Sequence, residues 1–217
     1  MHELKPFDIA GCSYFLSTFY KYYPAGTINV VVVVPGVGST RKPLLIKLKD
    51  YYFVGPDNRV FTSIVKNSKQ AEIYHLTNPE FFWKRLAQLF TDEIYLRRSA
   101  HVSLNKSISS FGEKIENINL IQEVSPRRSG SKIIGRVIYE DRFGNLITNI
   151  KSEQVLNVSK IIVGKFEIEN ISSSYSEAAK GGVLAIIGSS GNLEISVNMA
   201  SAADIVGGST EVVCCLK

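Results

Sequence analysis

A run of five valines, Val30–Val34, constrains this chain more than any other feature of it. It lies within Asn29–Arg41, NVVVVVPGVGSTR. β-Branched side chains lose rotamer freedom in a helix and pack well on a pleated surface. An unbroken run offers no face to water, so Thr27–Val34 is expected to be a strand buried on both faces, as in a parallel sheet. Pro35 and Gly36 stop it. The PGVGS loop lacks the Gly-Lys-Ser/Thr ending of a phosphate-cradling P-loop, and it is not a G-x-G-x-x-G fingerprint. By spacing alone it reads as a tight turn in preference to an anion cradle, with Arg41 a single cation beyond it. Val34, the last strand position before the loop, can neither take a proton nor orient a water.

The neighbouring segments extend the pattern. Pro6–Tyr23 reads as a helix: Asp8 is a candidate N-cap, and Ile9, Cys12, Leu16, Phe19 and Tyr20 recur at helical spacing. Pro24 and Gly26 end it. Pro43–Lys49 and Tyr51–Val54 are expected as strands, Gly55–Arg59 as a turn or ligand-facing loop, and Val60–Lys66 as a short helix. Glu72–Leu76 is then expected as a strand and Asn78–Phe90 as a helix. Strands alternating with helices argue a layered α/β domain. Parallel sheets are usually built from βαβ units, yet here a helix precedes the valine strand with no strand before it.

The character changes at Ser125–Lys132, SPRRSGSK, a polar linker or exposed hairpin. Beyond it come short strands: Ile133–Tyr139, Leu146–Ile150, Lys160–Val163, Val183–Gly188, Leu193–Val197 and Glu211–Leu216. The expected organisation is therefore an α/β N-terminal domain over 1–124, a linker over 125–132 and an all-β, barrel-like C-terminal domain over 133–217.

Composition bounds the function. With 45% hydrophobic residues the chain has material for an ordinary core, which excludes disorder. A net charge of +5, with basic residues clustered no further than the pairs Arg97-Arg98 and Arg127-Arg128, describes solvated surface lysines and not a nucleic-acid footprint. Three cysteines, Cys12, Cys214 and Cys215, have no metal-ligand spacing and fit a reducing, cytoplasmic setting. The start, MHELKPFDIAG, is not a signal peptide, and the valine run is too short to span a bilayer.

Two polar blocks interrupt the β-rich half. Asp141–Ile150, DRFGNLITNI, places a carboxylate, an aromatic, a glycine and two asparagines between strands. An Asn can read a purine edge with donor and acceptor, but the same residues also build a hairpin whose Asp and Asn satisfy their own backbone. Gly188–Val197, GSSGNLEISV, sets two serines and two glycines before an apolar strand that Glu194 interrupts. Tyr175, in SSSYSEA, is an aromatic in a polar loop: it suits stacking on a base, though single loop tyrosines are common. His2, His75 and His101 are too scattered for a metal cluster, and no G-x-S-x-G elbow supports a serine triad.

Together these blocks resemble a known family, the S-adenosylmethionine (SAM) hydroxide adenosyltransferases, related to fluorinase and chlorinase. The matching stretches are KPFDIAGCSYFLSTFYKYYPAGTINVVVVVPGVGSTRK, FVGPDNRVF, YHLTNP, DRFGNLITNI and GSSGNLEISV, in the family's order. The resemblance implies an α/β N-terminal domain, a C-terminal β-barrel and a homotrimer with sites between subunits, with no cofactor, nucleic acid or membrane involved. It also implies attack on the 5′ carbon of SAM, where water yields adenosine and methionine and halide yields a 5′-halo-adenosine. By the same resemblance Asn145 and Tyr175 contact adenine and Asp141 meets the methionine ammonium. Ser189, Glu194 and Val197 lie at nucleoside or methionine contacts, Val197 mainly through its backbone.

Departures from the family pattern are equally specific. The hydrolases orient water with an Asp before PGVG, an Arg seven residues later and a His; here those positions read Val34, Arg41 and Phe90. Thr91 stands where the fluorinase has a halide-contacting serine. Family members begin with a strand ending in a Thr-Asp-Phe-Gly type motif whose Asp holds the ribose, whereas this sequence starts near the segment that follows it, at Met1-His2-Glu3-Leu4. The expectation is a family member lacking its first strand–helix unit, with SAM cleavage impaired or lost. The alternative is a trimeric pseudoenzyme that binds a nucleoside or serves only as structure.

Overall fold

A computed structural model describes residues 4–33, 41–68, 70–81, 95, 99–103, 107–122, 125–207 and 210–217. The chain divides into two compact units, Met1–Gln122 and Glu123–Lys217.

In the first unit, α1 spans Ile9–Phe19 and continues as a 3-10 turn over Tyr20–Tyr22. Asp8 caps it, its carboxylate accepting from Gly11 N at 2.8 Å. The strands are β1 (Ile28–Val30), β2 (Pro43–Leu48), β3 (Tyr51–Pro56), β4 (Ala71–Leu76) and β5 (Gly112–Ile115), with α2 (Thr62–Lys66) between β3 and β4. Among the described residues the sheet order is β1-β3-β2-β4-β5. Both sheet faces carry apolar layers. Leu44, Ile46 and Phe53 pack with Cys12 and Leu16 of α1 and Tyr20 of the 3-10 turn on one side, while Leu45 and Val54 pack with Tyr74, Tyr95 and Phe111 on the other.

Two expectations need correction. The valine strand is three residues long, half-buried and at the end of the described strand order, not a fully buried central strand over Thr27–Val34. The sheet is also not a run of βαβ units. β1 pairs parallel with β3, but β2–β3, β2–β4 and β4–β5 are antiparallel. The cause is local: between β2 and β3 the chain has only Lys49 and Asp50, and Lys49 takes a left-handed φ of 51°. Two residues close a hairpin, whereas a parallel crossover needs a dozen or more. Of the expected helix over Asn78–Phe90, the described part is a 3-10 turn, Pro79–Phe81, started by Asn78 Oδ1 accepting from Glu80 N at 3.0 Å. Val34, the PGVGS loop, Phe90 and Thr91 lie outside the described residues.

The second unit is almost all strand: β6 (Arg127–Ser129), β7 (Lys132–Glu140), β8 (Leu146–Lys151), β9 (Val158–Val163), β10 (Phe166–Ile168), β11 (Ile171–Ser172), β12 (Val183–Ile187), β13 (Asn192–Val197) and β14 (Glu211–Leu216), with one short helix, α3 (Ala202–Val206). SPRRSGSK is the β6–β7 hairpin, paired from Arg127–Ile134 to Ser129–Lys132. The sheet runs β10-β9-β14-β7-β8-β13-β12-β11, with β6 added to β7. β10 also approaches β12, so the sheet curls into a nearly closed barrel. β7 turns the corner: up to Arg136 it pairs with β14, and from Val137 its register shifts as it pairs with β8. Ile133, Ile150, Ile161, Val163, Leu193, Ile195, Val212 and Cys214 fill the interior. The protein is thus mostly β with a few helices.

All three cysteines are free. Burial pushes the Cys12 thiol to about 11 and the Cys214 thiol to about 12, so both are neutral packing groups near pH 7. No helix among the described residues is long and apolar enough to cross a membrane.

Candidate functional site

The β7–β8 turn and strand β13 supply the polar groups of the barrel unit. The turn is wound on Asp141. Its Oδ1 accepts from Phe143 N at 2.8 Å and Asn145 N at 2.9 Å, and its Oδ2 accepts from Asn145 Nδ2 at 2.9 Å. The backbone closes with Asp141 N donating to Asn145 O and Gly144 N to Asp141 O. Gly144 is required here twice over: its φ is +80°, and a Cβ would stand 2.2 Å from Ser201 Oγ. The hairpin reading is therefore correct locally, and it does not empty the site. Three donors stabilise the Asp141 carboxylate in one orientation, and Asn145, 8% exposed, is fixed beside it.

β13 is buried along its full length. Leu193, Ile195 and Val197 point into the barrel core, so the opposite face carries Asn192, Glu194 and Ser196. Glu194 lies between Ile147 of β8 and Ile186 of β12. It is 9% exposed and accepts no hydrogen bond among the described residues. That isolation raises its carboxyl above the ordinary value, first by burial and second by repulsion from Asp141. Tyr175 joins the cluster from a one-turn 3-10 segment, Tyr175–Glu177. Its hydroxyl is also raised, by burial first and then by Glu194 and Asp141. Ser196 Oγ is fully buried and lacks a partner of good geometry; the Tyr175 hydroxyl is near enough to sense it, but the contact falls short of a hydrogen bond.

The strand is held in place from below. Asn192 Nδ2 donates to Thr148 O at 2.6 Å, and Asn192 Oδ1 accepts from Lys151 Nζ at 2.8 Å and Ser190 Oγ at 3.3 Å. Thr148 Oγ1 donates to Leu193 O at 2.8 Å. These bonds straddle the register shift between Asn192 and Glu194 and so set where Glu194 emerges. Gly188 completes the arrangement by having no side chain, since a Cβ there would fall 1.6 Å from Glu194 Oε1.

Of the residues expected at a site, the structure brings Asp141, Asn145, Tyr175 and Glu194 together. Ser189 is exposed at the tip of the turn closed by Gly188 N donating to Asn192 O. The Val197 side chain packs in the core, leaving its backbone as what it can present. Arg41 belongs to the other unit, just before β2; its Nη1 is buried without a hydrogen-bond partner among the described residues, a donor short of an acceptor. In the GPDNR loop both polar side chains serve the fold: Asp57 accepts from Asn119 N and Nδ2, while Asn58 donates to Val33 O and accepts from Val60 N. Sequence reasoning missed Gly188, Asn192 and Ser196. The signal was present as Asn-x-Glu-x-Ser alternating against Leu-x-Ile-x-Val, a polar stripe on a strand with no exposed face.

No group of three metal-ligating side chains occurs among the described residues. The arrangement gathers two carboxylates, an amide and an aromatic hydroxyl on one side of the barrel sheet. Family models define the class of protein. The SAM hydroxide adenosyltransferase N-terminal domain matches residues 1–112, and the corresponding C-terminal domain matches residues 135–212. The chain belongs to the SAM hydroxide adenosyltransferase family. It is 32% identical over 221 residues to an (R)-S-adenosyl-L-methionine hydrolase of Methanocaldococcus jannaschii, covering 94% of this chain and 76% of that protein. It is 28% identical over 214 residues to one of Thermus thermophilus, covering 95% and 82%. The crystal structure of a conserved protein from Thermotoga maritima superposes with a TM-score of 0.88 at 30% identity, covering 99% of this chain and 87% of that one.

Proposed function

We propose that this protein binds SAM and cleaves it to adenosine and methionine by substitution at the 5′ carbon, more slowly than the hydrolases it resembles. The observation that carries the reading is the convergence of Asp141, Asn145 and Tyr175 on Glu194, on the face of β13 turned away from the barrel core. Asp141 and Glu194 offer negative charge to the methionine ammonium. Asn145 and the Tyr175 ring, 43% exposed, offer an edge and a face to the adenine. Ser189 and the Val197 backbone lie at the margin of the same ligand, and by family resemblance Arg41 and Thr91 are the residues assigned to the nucleophile. Sites of this kind sit between subunits of a cytoplasmic homotrimer.

The sulfonium is a good leaving group, so the protein's work is to position and desolvate the nucleophile. Val34 and Phe90 replace the acid and imidazole that orient water in the hydrolases. Losing proton-transfer groups typically slows a reaction by about 10²–10⁴-fold. The same two replacements favour a second reading, a pseudoenzyme that holds the ligand without turnover.

Incubation with SAM, followed by chromatography for adenosine and methionine, separates the two. Adenosine above a heat-killed control, lost in Asn145→Ala, is the expected result. Binding of SAM without adenosine overturns the catalytic reading and leaves the pseudoenzyme. No binding of SAM or of millimolar adenosine by the folded protein overturns both.

A further inference from the structure

Arg41 is a cation without an acid of its own. It stands just before β2, where Asp57 N donates to Lys42 O at 2.8 Å and so lays the GPDNR loop alongside it. Its Nη1 is buried without a hydrogen-bond partner among the described residues. A buried donor left unmade costs free energy, most of all on a charged group, so native structures rarely leave one. The neighbouring acceptors are engaged elsewhere. Asp57 accepts from Asn119 N at 2.8 Å and Asn119 Nδ2 at 2.9 Å, and Asn58 Oδ1 accepts from Val60 N. The sequence adds an independent fact: no Asp or Glu occurs between Asp8 and Asp50, so neither the valine run nor the PGVGS loop can bring a carboxylate to Arg41. Asp8 caps α1, and Asp50 lies in the hairpin at the other end of β2. Glu72 is paired with Lys47 and Lys114, and Glu113 with His75. Lys42 and Arg59, both exposed, add positive charge to the same two segments. The position is also one where ligands bind. β1 and β3 run parallel, and past their carboxyl ends Asn58 Nδ2 donates to Val33 O. In open sheets, ligands bind outside the carboxyl ends of parallel strands.

We infer that Arg41 holds the carboxylate group of a ligand against its buried Nη1 edge, beside the carboxyl ends of β1 and β3. Charge and shape select the ligand class. One guanidinium matches one negative charge, and its planar fork sets parallel N–H bonds on two coplanar oxygens, which a spherical halide does not offer. A phosphate dianion calls for a second buried cation, whereas Lys42 and Arg59 are exposed and act only by drawing anions to the loops. Arg41 itself is half-buried, so a ligand reaches the guanidinium from its open side. The residues named all belong to the first unit, so the carboxylate site does not rest on the SAM cleavage proposed above. It gives Arg41 the acid that its own strand, ending in the apolar Val34, lacks.

The test is NMR relaxation of isotope-labelled formate titrated with the full chain at fixed ionic strength, with acetate, chloride and phosphate as competitors. Formate is expected to bind saturably, to yield to acetate at similar concentrations, and to yield to chloride only at concentrations about 10-fold higher. Arg41→Gln removes the charge and is expected to weaken formate by about 10-fold or more. Arg41→Lys keeps the charge without the fork and is expected to lose the preference for formate over chloride, a readout that a merely structural role would not move. Thermal melts check the fold of each variant, and Arg41→Lys decides the matter if Arg41→Gln does not fold. Displacement of formate by L-methionine but not by methionine amide places the carboxylate on an amino-acid ligand and sustains the site; retention of formate against both sustains it for a free carboxylic acid. No saturable binding, equal displacement by acetate and chloride in the parent, or formate binding unchanged in the folded variants overturns the inference and leaves SAM cleavage standing. Formate binding that depends on Arg41, in a protein that neither binds nor cleaves SAM, sustains the carboxylate site and overturns the proposed function.

Discussion

Gly188→Ala isolates the contact on which the site depends. A Cβ at residue 188 would meet Glu194 Oε1 at 1.6 Å, Cδ at 2.2 Å and Oε2 at 3.0 Å, and these are its three nearest neighbours. Gly188 has no left-handed φ, so alanine adds a clash and no backbone strain. A carboxylate on an exposed side chain could swing away, but Glu194 is enclosed by the flanking strands and must move as a buried group. Overpacking of this kind costs typically about 1–3 kcal/mol. For a chain of this length each kcal/mol lowers the melting midpoint by roughly 2–4 °C. The cost should depend on Glu194. In a Glu194→Ala background the obstructing atoms are gone, so Gly188→Ala should be close to neutral, with a coupling energy of about 1–3 kcal/mol in the double-mutant cycle. Urea denaturation of the parent, both single variants and the double variant measures this directly. Equal destabilisation by Gly188→Ala in both backgrounds would refute the reasoning, because the strain would then lie elsewhere than against Glu194.

Three further outcomes follow from the same geometry. Glu194 is raised in the folded state, so it favours folding below its unfolded value, and that contribution is lost as pH rises through the folded value. Glu194→Gln should therefore be more stable than the parent at neutral pH, with the difference vanishing on acidification through the carboxylate range; denaturant midpoints against pH report it. Asn192→Ala leaves the buried Thr148 O without its donor, while the exposed Lys151 Nζ turns to water, and should cost about 1–3 kcal/mol in chemical denaturation. Cys12 and Cys214, with thiols near 11 and 12, should resist alkylation at pH 8 in the native protein and react on unfolding, which peptide mass mapping resolves.

Local chemistry made much of the fold legible. Asp8 before an apolar helical repeat capped α1, and the short strands after SPRRSGSK sit where turn residues and β-branched runs placed them, as with Glu211–Leu216. What failed was pairing. Val30–Val34 reads as the centre of a parallel sheet because five valines carry no address for a partner, while the two residues Lys49 and Asp50 imposed an antiparallel neighbour on the next strand. Phe166–Ile168 and Ile171–Ser172 escaped notice, since two- and three-residue strands are made by their neighbours and carry little periodicity of their own.

The candidate site divides along the same line. Asp141 and Asn145 are four residues apart, so their mutual hydrogen bonds are local and the DRFGN turn could be read as a hairpin from sequence. Glu194 and Tyr175 were conspicuous as residue types, but nothing in the order of residues says that β13 has two buried faces or that a glycine six positions earlier makes room for a carboxylate. The sequence by itself determined most of the longer elements, the polar turn and the family. The tertiary structure decided that Glu194 is left between two isoleucines with an acid for a neighbour, because burial and charge proximity are properties of strands brought together across the barrel and not of the chain that forms them.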